Sequence, residues 1–104
     1  MLKEAVNLGA SEGMCYLAWQ YHQGVNVEKD DLKALDLYER ASRAGNIYAP
    51  YNAGVLYWQL YGDCDTTEEY FALGAQYSDD ARKALQEIRT QEPCASVLAM
   101  KSDK

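Results

Sequence analysis

Long apolar runs and an excess of positive charge are both missing from this chain. The first residues, MLKEAVNLGASEG, hold no stretch long enough for a secretory signal or a membrane span. A cytoplasmic location is therefore expected, unless a signal peptide has been removed. Ten basic residues stand against sixteen acidic ones, a formal charge of −6. A nucleic acid or an anionic membrane needs a basic patch, so neither is expected as a partner. Acidity of this kind keeps a protein soluble and permits a basic partner through steering. Histidine occurs once, at His22, and the three cysteines Cys15, Cys64 and Cys94 form no CxxC or regular spacing. That count excludes a structural zinc site and signals no disulfide framework, so reduced thiols and no metal or cofactor are expected. Proline is also scarce, at two residues, and no strand-like alternation persists.

What is present points to helices. The 104 residues suit one domain, and 48% hydrophobic with 25% charged residues is an ordinary globular balance. Nine tyrosines and two tryptophans outnumber a single phenylalanine, which favours aromatics that keep a polar handle for surfaces. The spacing predicts helices over residues 2–8, 12–23, 31–44, 47–60, 67–77 and 80–91. Asp30 or Asp31 caps the third, Gly45 ends it, Thr66 with Glu69 fits a capping box, and Ser78 or Asp79 starts the last. Residues 92–104, after Pro93, read as a loosely ordered tail, in which CASVLAM is apolar enough to dock on the last helix.

The helix over KALDLYERASRAG has alanines where a core helix would carry leucines. A shift of 36 residues places Ala5 on Ala41, Gly9 on Gly45, Tyr21 on Tyr57 and Gln23 on Gln59, with small residues paired at Gly13/Ala49 and Ala18/Gly54. A period of this length with two helices per unit is the signature of an αα-solenoid. Small residues there let neighbouring helices approach, and Leu37 and Tyr38 fill the gaps between layers.

Residues 17–57, LAWQYHQGVNVEKDDLKALDLYERASRAGNIYAPYNAGVLY, resemble the Sel-one-like repeat, a longer-turn relative of the tetratricopeptide repeat. Gly13, Leu17, Ala18, Tyr21, Gly24, Val27, Asp30, Lys33, Ala34, Leu37, Tyr38, Ala41 and Gly45 sit at or beside the family positions. Ala49, Ala53, Gly54 and Tyr57 open the next unit. YFALGAQYSDDARKALQEI resembles the closing segment of such arrays, whereas LYGDCDTTEEYF lacks the glycine-valine loop. The resemblance implies an all-α, right-handed αα-superhelix over residues 1–91, with about two repeats and flanking half-units. It also implies a non-enzymatic module that binds a partner protein or peptide in a concave groove. The alternative is a small acidic inhibitor, such as an immunity protein for one cognate toxin or enzyme. Self-association is a further possibility for so short an array.

On that arrangement the first helices carry Trp19, His22 and Gln23, then Tyr48, Tyr51, Val55, Trp58 and Gln59, as the partner-binding face. Cys15 lies on the same face, and the last helix offers Lys83 and Glu87. Trp19, Tyr51 and Trp58 form an aromatic strip, a residue class that anchors interfaces. The competing reading packs one or both tryptophans between helices. Cys15 and His22 are seven residues apart, about 10 Å of helical rise, which is too far for a nucleophile and its base. GDCDTTEE lacks the oxygen spacing of a calcium loop and reads as a loop with a helix cap. No phosphate loop, nucleophile elbow or paired-carboxylate frame occurs, so no catalytic residue is expected.

Overall fold

In a computed structural model, residues 10–102 are described, with side chains to residue 100, and they hold six helices and no strand. These are α1 (Ala10–Gln23), α2 (Asp31–Arg43), α3 (Ala49–Tyr61), α4 (Cys64–Gly74), α5 (Asp79–Thr90) and α6 (Cys94–Ser102). The helix expected over residues 2–8 lies outside the described residues. Consecutive helices pack as antiparallel pairs, giving an elongated body of 48 × 26 × 20 Å.

Side chains and turns set the boundaries. Asp30 accepts the Lys33 amide at 3.1 Å and starts α2. At the other end of α2 the amides of Gly45 and Asn46 return to the carbonyls of Ser42 and Ala41, a Schellman turn that needs the left-handed φ of 96° at Gly45. Asn46 then accepts from the amides of Tyr48 and Ala49, both at 2.9 Å, so one residue closes α2 and opens α3. Ser78 caps α5 through the Ala81 amide.

Three expectations change. First, α4 begins at Cys64 rather than residue 67, because Asp63 accepts the Thr66 amide at 3.2 Å and its hydroxyl at 3.0 Å. The Thr66–Glu69 pattern places the start one turn late. Second, the supposed loose tail forms α6, with Cys94 and Leu98 buried against Cys64 and Ile88. Third, Cys64 and Cys94 are joined as a disulfide across 30 residues, with Cα atoms 5.4 Å apart. Only Cys15 is a free thiol among the described residues. The pairing leaves no local motif because folding, not sequence spacing, brings the starts of α4 and α6 together.

The small residues occupy the closest helix approaches. Ala18, Ala34, Ala41, Ala49 and Ala53 are fully buried in the main core with Leu35, Leu37, Tyr38 and Leu56. A Cβ on Gly54 would stand 2.7 Å from the Phe71 ring, so α3 and α4 reach this separation only with glycine there. Gly74 has the Ala81 Cβ and the Tyr51 amide at 3.1 and 3.3 Å from its own Cβ position, which brings α4 against α3 and α5.

Candidate functional site

The helices α1, α3 and α5 are the first members of successive pairs, and clefts open between them. The larger, about 670 Å³, lies between α1 and α3. Its floor is Tyr38 of α2, and its walls include Cys15, Tyr16 and Trp19 from α1 and Asn52 from α3. Gly45, Asn46, Ile47 and Tyr48 close one end. The volume lies within the range of ordinary ligand sites, about 300–1,000 Å³.

The rim is aromatic and open to solvent. Tyr16 and Trp19 stack at 6.0 Å between ring centroids and 14° between planes, and remain 50% and 42% exposed. Across the cleft Ile47 and Tyr48 are 38% and 62% exposed. Asn46, by capping α3, fixes where Tyr48 stands. Glu12 supplies the one formal charge among the lining residues.

The interior is neutral. Burial pushes the Tyr38 hydroxyl up to about 12, with Cys15 adding to the effect. Burial also raises the Cys15 thiol, against a smaller opposing pull from its hydrogen bond with Asn52. A thiol held protonated is a poor nucleophile, so Cys15 is suited to lining the cleft rather than attacking a substrate.

The expected partner-binding face is divided by the fold. Trp19 and Tyr48 meet at the α1–α3 cleft. Trp58 lies in a second cavity between α3 and α5. Tyr51 does not bridge them: it is half-buried with its ring 5.7 Å from Phe71, packing α3 on α4. His22 turns away to the α1–α2 loop, where Asp31 Oδ1 accepts from its Nδ1 at 3.0 Å and from Lys29 Nζ at 2.9 Å. Lys29, and after it His22, hold the Asp31 carboxyl below its ordinary range. Lys29 also donates to the His22 carbonyl at 2.6 Å, so His22 is part of a loop clamp. Gln23 and Gln59 are exposed and Val55 is half-buried, and none of the three lines either cavity.

Tyr16, Ile47 and Asn52 are cleft residues that sequence reasoning misses. The three-residue spacing of Tyr16 and Trp19 is the signal that could have found the stacked pair. Ile47 and Asn52 carry no such signal, since their place depends on how the Gly45–Asn46 turn aims α3.

This arrangement of paired helices, with clefts between first helices, matches a solved structure, the Sel1 repeat protein from Oxalobacter formigenes. The match has a TM-score of 0.73 and 32% identity, and covers 83% of this chain and 68% of that one. The chain belongs to the Sel1 repeat family. No family model matches it, and no curated protein does. As a Sel1 repeat chain it has the fold of a protein-interaction module, an αα-solenoid of the tetratricopeptide-like kind. Among its described residues no group of three or more His, Cys, Asp or Glu is placed to hold a metal, and no helix is long and apolar enough to cross a membrane.

Proposed function

We propose that this Sel1 repeat chain is a non-enzymatic interaction module, and that a segment of a partner protein sits in the cleft between α1 and α3. The observation that carries the reading is the exposed rim of Tyr16, Trp19, Ile47 and Tyr48 around a cavity with a neutral floor. A chain that leaves four large, largely apolar side chains exposed around one concavity has a surface suited to burial by a partner. The net charge of −6 favours a basic partner by steering encounter. That same acidity supports the narrower reading, an inhibitor of one cognate toxin or enzyme. The Cys64–Cys94 disulfide favours an oxidising compartment over the reducing cytoplasm.

The test is capture of partners from the source organism by the wild-type chain and by a Trp19→Ala/Tyr48→Ala variant, at low and moderate salt. We expect a partner retained by wild type and lost by the variant, with helicity unchanged by circular dichroism. A single partner with sharply salt-dependent binding would select the inhibitor reading. Equal capture by the variant would remove the cleft from the function.

A further inference from the structure

The second cavity, between α3 and α5, has a different chemistry from the first. Its volume is about 210 Å³, too small for an ordinary ligand and suited to one side chain. Trp58 of α3 forms one side and remains 37% exposed. Phe71 of α4 lies behind it, and Ala84 and Ile88 of α5 with Pro93 give an aliphatic wall. The two charged residues lining it, Glu87 and Glu92, are both acidic.

Both arginines of α5 are committed elsewhere, while Lys83, one turn before Glu87, is in no ion pair among the described residues and does not line the cavity. Arg89 donates to Glu68 at 2.7 Å, tying α5 to α4, and Arg82 pairs with Asp79 at the start of α5. Among the described residues no ion pair reaches Glu87 or Glu92. Glu92 is fixed in place, because it accepts the Ser96 amide at 3.0 Å and the Ser96 hydroxyl at 2.6 Å. The wall is fixed as well, since Cys94 lines the cavity and is bonded to Cys64 of α4.

From this geometry we infer that the α3–α5 cavity is a pocket for one arginine side chain of a partner protein. An arginine has an aliphatic stem that packs on Ala84, Ile88 and Pro93 while its head stays polar. Its planar guanidinium stacks on an indole face, and its fork of donors meets carboxylates. A neutral polar side chain could still donate to a carboxylate, but it would lack the positive charge that the indole face and the two carboxylates favour. An apolar one would leave the Glu87 carboxylate without a partner and would gain nothing from the charge on Glu92. The pocket is separate from the α1–α3 cleft, so it stands or falls independently of that site.

The test uses ¹⁵N-labelled full-length chain and the probe acetyl-Gly-Arg-Gly-amide, with the citrulline and lysine analogues as controls. Citrulline keeps the shape of arginine and lacks the charge; lysine keeps the charge and lacks the plane. We expect saturable shifts at the Trp58 indole N–H and the Ala84, Glu87 and Ile88 amides with the arginine peptide. Binding should weaken at least about tenfold for the citrulline peptide and several-fold for lysine. Glu87→Gln, an exposed change that leaves the core intact, should weaken the arginine peptide several-fold, and Trp58→Leu should weaken it further. Equal binding of citrulline and arginine, or shifts confined to α1 and the start of α3, would overturn the assignment. Equal binding of lysine would overturn the choice of guanidinium.

Discussion

Tyr38 shows how a single buried side chain shapes both the cleft and the pH range of the fold. It is 4% exposed beneath the α1–α3 cleft, and burial raises its hydroxyl from 10.0 to about 12. The folded chain therefore keeps a proton that the unfolded chain releases near 10. Where the unfolded state binds fewer protons, stability falls as pH rises. The contribution of Tyr38 is complete below about pH 10 and is lost on the way to about pH 12. Tyr70 acts in the same sense: burial raises its hydroxyl first, and then its hydrogen bond to Glu39. Tyr38→Phe should flatten part of the alkaline decline and leave the Tyr70 part. Urea unfolding from about pH 9 to about pH 12 measures this. An identical decline in the variant would mean that Tyr38 ionises freely in the folded chain.

At the level of elements, α6 is attached by little besides its disulfide. Its buried residues are Cys94 and Leu98, which pack with Cys64 and Ile88 in a small cluster apart from the main core. A covalent link closing a loop of this length is worth roughly 2–4 kcal/mol. Cys94→Ser should therefore release α6 before the rest of the fold. In hydrogen exchange, residues 94–102 should lose protection toward that of a fraying end, while α1 to α3 change little. Uniform loss across all helices would show instead that α6 is integral to one cooperative core. The same element marks the limit of what the sequence could tell. Helices α1, α2, α3 and α5 are legible because Asp30, Gly45 and Ser78 act locally and apolar residues recur at helical spacing. The alanine and glycine positions are legible because the closest helix approaches repeat with the unit. The start of α4 is misplaced by a competing capping pattern three residues on. The disulfide, and with it the ordering of α6, depends on two helix ends meeting in space. The partner-binding face is legible as first helices but not as one strip. Which way Tyr51 and His22 turn is decided by Phe71 and Asp31, residues on other elements.

Across the whole molecule, charge and exposed aromatic surface act against each other. The chain carries −6 at pH 7 and has a sequence pI near 4.6. Like charge keeps copies apart, while the rim of Tyr16, Trp19, Ile47 and Tyr48 and the open Trp58 pocket offer surface for association. At neutral pH the repulsion should win and leave the chain monomeric, with its clefts available to a partner. Near pH 4.6 the net charge vanishes and the apolar rims should drive self-association. Sedimentation velocity at both pH values tests this, beside the Trp19→Ala/Tyr48→Ala variant, which should associate less at the lower pH. A dimer already present at pH 7 and lost in the variant would make a second copy the natural occupant of the α1–α3 cleft. Any other partner would then have to displace it, and affinity measured at high protein concentration would understate that of the free chain. A monomer at both pH values would mean that the rims are too small to hold two flat surfaces together. The cleft would then need a partner segment narrow enough to enter it.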